Sequence, residues 1–145
     1  MAFSGNFMCT SFKVELMKAV HNFTTGTGNT FKLALYDNTP SFTAATTAYT
    51  ASGEVGASGS YSAGGGALTN VTPTSTSTTA FTDFADLSFT SATITAYGAM
   101  IYNDSAAGDP SVCILDFGGA KTSTAGTFTI IFPADDSTNA ILRIA

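Results

Sequence analysis

The sequence predicts a mainly β protein, a single-domain β-sandwich or jelly roll with one N-terminal helix, on three observations. At 145 residues the chain is long enough for one core and too short for two of ordinary size. Ser and Thr together supply about forty residues, with Thr well ahead, a composition suited to pleated, half-buried surfaces rather than helices. Short apolar runs recur between Gly, Pro, Asn and Asp breakers along most of the chain. Twelve Phe, five Tyr and a mean hydropathy of +0.24 supply more apolar surface than a disordered chain carries. The N-terminal arm and helix take about residues 1–23, and the sheet region about 30–145.

The one helical stretch runs from Ser11 to about Asn22, with Phe12, Leu16, Ala19 and Phe23 on one stripe and Lys13, Glu15 and Lys18 around the rest. Ser11 or Thr10 is placed to cap its start. His21 stands near its end as a cap or surface residue, favoured there by the helix dipole. The run from Thr24 to Asn29 then turns the chain into sheet. Phe31 to Asp37 alternates Phe31, Leu33 and Leu35 against Lys32, Ala34 and Tyr36, which predicts a strand with one face on the core. Phe42 to Thr50 reads as an irregular segment or a short helix. Ser52 to Gly66, rich in Gly and Ser around Val55 and Tyr61, reads as the most mobile region, a loop or a pair of short extended segments.

Alternation resumes from Ala67 to Thr72, and the hydroxyl run from Pro73 to Thr79 reads as an exposed loop. Ala80–Phe89 and Ala92–Tyr102 carry the strongest strand signals, followed by a turn from Asn103 to Pro110. Three shorter strands are expected at Val112–Phe117, Thr127–Phe132 and Ala140–Ile144, divided by Gly118-Gly119 and by the Pro133–Asp136 run. Seven or eight strands behind one helix suit two sheets stacked face to face. No repeat at periods of about 20 to 50 residues points to a solenoid or propeller.

Charge narrows the function classes. Only 10% of residues are charged, and five Lys and Arg against ten Asp and Glu give a net charge of -5. That balance leaves no basic surface to neutralise a nucleic-acid backbone or to seek anionic lipid, so neither nucleic acid nor membrane is expected as a partner. Met1 to Asn6 lacks the charged and apolar regions of a signal peptide, and no apolar window is long enough to span a bilayer. Cys9 and Cys113 are expected as two buried thiols rather than a bridge.

Catalytic constellations are equally sparse. A Ser or Cys nucleophile needs a base, and His21 is the single imidazole; Cys9 lies near it in sequence but before the helix. The carboxylate pairs Asp83 with Asp86, Asp104 with Asp109 and Asp135 with Asp136 fall at a strand start and in loops, where Asp makes Asx-turns. Gly26-Thr27-Gly28 and Gly64-Gly65-Gly66 lack the Lys and Ser/Thr of a phosphate-binding loop. The residues therefore imply no enzyme, no cofactor and no metal, and point to a protein that works by presenting surfaces. Strand edges and hydroxyl-rich faces are suited to that.

The run Phe31-Lys-Leu-Ala-Leu-Tyr-Asp37, the segment from Thr46 to Val55, Tyr61 to Leu68, the block from Phe81 to Asp104 and Leu115-Asp-Phe-Gly-Gly119 together resemble a family of small virion proteins of tailed bacteriophages. Its members are labelled as capsid cement or decoration proteins, or as tail or fibre proteins. The resemblance implies a self-associating dimer or trimer on the outer capsid surface, made in the host cytoplasm. Its partner there is the major capsid protein, whose subunits it bridges. The alternative is a tail or fibre component that attaches to tail proteins and serves host attachment. Candidate contacts between chains are Phe3, Phe7, Phe12 and Leu16 of the arm and helix, with Val55 and Tyr61 of the Gly-rich segment. The competing reading is that the helix plugs the end of the sandwich.

Overall fold

The computed structural model describes residues 3–145; Met1 and Ala2, the start of the expected N-terminal arm, lie outside the described residues. The chain is mainly β, with two antiparallel sheets packed together as a sandwich and one short helix. In order the elements are β1 (Phe7–Met8), α1 (Thr10–Met17), β2 (Phe31–Tyr36), β3 (Gly66–Ala67), β4 (Thr74–Thr76), β5 (Thr79–Thr82), β6 (Leu87–Asn103), β7 (Ser111–Ile130) and β8 (Leu142–Ile144). The larger sheet runs β1-β7-β6-β2-β3 and the smaller β4-β5-β8.

The helix is shorter than its apolar stripe predicts, and neither Thr10 nor Ser11 caps it. Cys9 is the N-cap, with no side-chain cap bond, because neighbouring backbone holds the entry: Cys9 N–H donates to Val112 O at 3.0 Å and Thr10 N–H to Ala44 O at 2.7 Å. At the other end Ala19 turns left-handed at φ 58, with Ala19 N–H on Leu16 O at 3.1 Å and Val20 N–H on Glu15 O at 3.0 Å. This pair of bonds is a Schellman closure, and it stops the helix one turn early.

β2 departs from the expected single buried face, since Ala34 and Tyr36 are buried along with Phe31, Leu33 and Leu35. The second face is roofed by the segment from Phe42 to Gly64. Tyr36 packs edge-on against Phe42 at 4.8 Å and its hydroxyl donates to Thr50 O at 2.7 Å.

The centre of the molecule is the antiparallel β6–β7 hairpin. The two strands expected at Val112–Phe117 and Thr127–Phe132 are joined into one β7, because β6 pairs with both halves, from Ala99↔Leu115 to Phe89↔Phe128. Gly118-Gly119 does not end the strand. Between the pairs Gly98↔Asp116 and Ala96↔Lys121, Tyr97 of β6 faces four residues of β7, Phe117–Ala120, and Gly118 and Gly119 carry this bulge at φ 70 and 138. Conversely, the single strand expected at Ala80–Phe89 is divided. β5 pairs with β4 and β8 in the small sheet, β6 begins at Leu87 in the large one, and Asp83–Asp86 carry the chain between them. The Pro73–Thr79 run is exposed, as its hydroxyls predict, but it forms β4 and its turn rather than a loop, with Ser77 at φ 55.

Candidate functional site

Four places gather polar or apolar side chains in a way that has chemical content. The first is a column of rings linking the helix to the large sheet and to the crossing between the sheets. Phe23 stacks on Phe31 at 4.3 Å, Phe31 meets Phe84 at 5.8 Å, Phe84 meets Phe132 at 5.7 Å, and Phe12 covers His21 at 4.9 Å. His21 is buried inside this column rather than standing at the surface, because the Schellman closure folds the chain back under the helix. Asn103 Oδ1 accepts from Ser105 N–H at 3.0 Å, which aims its Nδ2 at His21 Nδ1, 3.0 Å away. Nδ1 therefore accepts, and Nε2–H donates to Glu15 Oε2 at 2.7 Å. Both ring nitrogens are engaged in holding α1 against β6. Beside the column a mainly apolar cavity of about 480 Å³ opens between α1 and the small sheet, lined by Leu16, Phe23, Phe81 and Leu142 among others.

The second is a carboxylate–tyrosine clamp. Tyr49 donates to Glu54 Oε2 at 2.6 Å; Tyr61 and Gly64 N–H donate to Glu54 Oε1 at 2.7 and 2.8 Å. Tyr61 Oη also accepts from Leu35 N–H at 2.9 Å, and Tyr102, stacked on Tyr49 at 4.7 Å, donates to Gly64 O at 2.6 Å. Burial, reinforced by Glu54, pushes the Tyr49 hydroxyl up to about 12. Tyr36 and Tyr61 are pushed above the ordinary tyrosine value mainly by burial with Glu54 adding, and Tyr102 by burial with Asp104 adding. The Ser52–Gly66 segment, expected to be the most mobile, is thus tied to β2 and β6 by hydrogen bonds.

The third is the Asp83–Asp86 crossing. Asp83 is buried, accepting from Phe84 N–H at 2.8 Å and Ile141 N–H at 3.2 Å, and Asp86 accepts from Phe132 N–H at 2.8 Å. These carboxylates pin the C-terminal segment to the joint between the sheets. Burial raises the Asp83 pKa despite its two amide donors. Cys9 and Cys113 are free and buried, as expected, with both thiols pushed up by burial. Among the described residues no group of three or more His, Cys, Asp and Glu is placed to hold a metal ion.

The fourth is the outer side of β7. β1 pairs with it only at Cys113 and Ile114, and Asn6 Oδ1 caps Asp116 N–H at 2.7 Å. Beyond Asp116 no strand among the described residues lies on that side. The neighbouring faces of β6 and β7 are carpeted with hydroxyls, with Thr95 and Thr122 bonded at 3.1 Å and Ser88 and Thr129 at 2.9 Å. Along the edge runs a notch of about 540 Å³ bordered by Phe117, Lys121, Thr127, Thr129 and Ile131.

The six candidate contact residues are not brought together. Phe3 is buried against Phe42 at 5.7 Å, Phe12 covers His21, and Tyr61 sits in the clamp, so these three face their own core. Phe7, Leu16 and Val55 are half-buried against that core. The clamp was legible in one signal that residue-by-residue reading passed over: Glu54 is the single charged residue between Asp37 and Asp83, and a lone carboxylate amid Tyr and Gly marks a hydrogen-bond hub. Comparison with protein-family models, with curated proteins and with solved structures gives no match to this chain.

Proposed function

We propose that this chain is a structural component of a bacteriophage virion, a capsid cement or decoration protein that bridges major capsid subunits and stabilises the shell. The observation that supports its structural part is the far half of the β6–β7 hairpin, whose inner face packs into the core while its outward face is covered with hydroxyls and its outer strand carries one charge, Lys121, between Asp116 and Asp135. A face of this kind offers hydroxyl groups to a neighbour. Repeated around a symmetric shell, many such weak contacts add through avidity. Several polar side chains of the interior, by contrast, are engaged in holding the fold: His21 ties the helix through Glu15 and Asn103, Glu54 holds the Gly-rich segment, and Asp83 and Asp86 hold the C-terminal segment. The virion part of the reading comes from the family resemblance, and the net charge of -5 suits an outer surface facing away from DNA.

Antibody labelling of purified particles in negative stain tests this reading. Label spread over the shell, and particles lacking the chain that assemble but burst more readily on heating, are the expected results. Label confined to the tail would replace the cement role by a tail role, and unlabelled particles would overturn both.

A further inference from the structure

Between α1 and the small sheet the chain leaves an apolar recess that its own side chains do not fill. At about 480 Å³ it falls within the size range of small-molecule sites, roughly 300–1,000 Å³. Its walls come from separate parts of the chain: Phe12 and Leu16 from α1, Phe23 from the return after it, Phe81 from β5 and Leu142 from β8. The inner walls, Phe12, Phe23, Phe81 and Leu142, are buried, and Phe12 meets Phe23 edge to face at 6.0 Å. The mouth is open, bordered by the small exposed side chains of Ala19 and Ala80 and by Ile144, which is 57% exposed. Buried walls behind an exposed mouth make a pocket, not a flat docking face.

We propose that this recess binds a small uncharged aromatic molecule of one or two rings. Such binding is separate from the structural role proposed above, and particle labelling does not bear on it. Three features select that occupant. The first is charge: among the described residues no Asp, Glu, Lys or Arg lines the recess, so a charged guest would leave water without a counter-ion. The second is hydrogen bonding, because the polar groups of the walls already hold the fold. His21 is engaged at both ring nitrogens, Thr82 Oγ1 donates to Val71 O at 2.6 Å, and Asn22 Oδ1 accepts from Thr24 N–H at 3.0 Å. A guest that brings polar groups inside therefore loses its bonds to water and gains few in return. The third is ring chemistry: Phe12, Phe23 and Phe81 offer aromatic faces and edges from three elements of the wall, the surroundings in which another ring makes offset and edge-to-face contacts.

Fluorescence titration of the full chain with N-phenyl-1-naphthylamine, an uncharged probe, tests the site. The expected result is saturable binding of one probe per chain, with a melting temperature that rises with probe concentration. 2-Naphthalenemethanol should displace the probe roughly tenfold better than 2-naphthoate, which carries the same rings with a charge. Ala80→Trp, which fills the mouth, and Ile144→Lys, which charges it, should each weaken binding roughly tenfold or more. Ile131→Lys, which removes an exposed apolar side chain outside the recess, should leave binding unchanged. Circular dichroism identifies variants that keep the fold, and the competition between the two naphthalenes needs no variant. A signal that does not saturate, equal displacement by both competitors, folded mouth variants that bind like the parent, or equal loss in Ile131→Lys would overturn the proposal. Probe released as chain concentration rises, together with a dimer in sedimentation equilibrium, would assign the recess to a second copy and overturn it as well.

Discussion

The hydroxyl of Tyr61 holds two parts of the chain at once, accepting from Leu35 N–H in the central sheet and donating to Glu54 in the segment that roofs it. Tyr61→Phe keeps the ring against Phe89 at 4.8 Å but leaves a buried amide and a carboxylate oxygen short of a partner. A loss of about 1–3 kcal/mol is expected, measured by urea unfolding. Asp83 does similar work for Phe84 and Ile141, and Asp83→Ala should cost about the same. Because burial raises the Asp83 pKa, the folded chain holds that proton more tightly than the unfolded one. The contribution of Asp83 to stability is therefore greatest below the ordinary carboxylate range and declines as pH rises through the raised value. Subtracting the pH profile of Asp83→Asn from that of the parent should isolate this decline; a flat difference would contradict it.

At the scale of elements, backbone conformation sets where helix and strands stop. Ala19 occupies the left-handed closure of α1 that Gly prefers, so Ala19→Gly should stabilise the chain by about 0.5–1 kcal/mol in chemical denaturation. Gly65 has the opposite character. At φ 81, with any Cβ driven into the Leu33 carbonyl, it lets the clamp segment lie flat on β2, and Gly65→Ala should cost about 3 kcal/mol through strain and overpacking. The apolar stripe of the helix and the strand at Phe31 were visible in sequence because their periodicity is local. The union of two predicted strands into β7 was not, since Gly118-Gly119 reads as a breaker until β6 is seen to pair on both sides of it. Nor was the split at Asp83–Asp86, where apolar residues recurring on both sides of the two carboxylates hide a change of sheet.

For the whole molecule, four of the five tyrosines sit in or beside the clamp with raised pKa values. In the unfolded chain they ionise near pH 10, roughly the ordinary value. Above that pH the folded state binds more protons than the unfolded one, so stability falls as pH rises. A spectrophotometric titration should show tyrosinate absorbance delayed past the ordinary range and then rising together with loss of the circular dichroism signal. Independent, noncooperative ionisation of all five would show that the clamp does not couple to the fold. The clamp and the ring column share the sandwich core, whereas the far half of the hairpin projects its hydroxyls outward, and the two regions answer to different tests.

Composition and periodicity determined the β class, the single helix near the N-terminus, the buried free thiols and the strand at Phe31, because each depends on neighbours a few residues away. Tertiary structure decided that His21 lies inside, that Glu54 gathers Tyr49 and Tyr61, and that Phe3, Phe12 and Tyr61 face the core rather than a neighbour. It also left the outer edge of β7 open. Those outcomes depend on residues brought together from distant parts of the chain, and on which backbone groups find no partner, which local pattern does not encode.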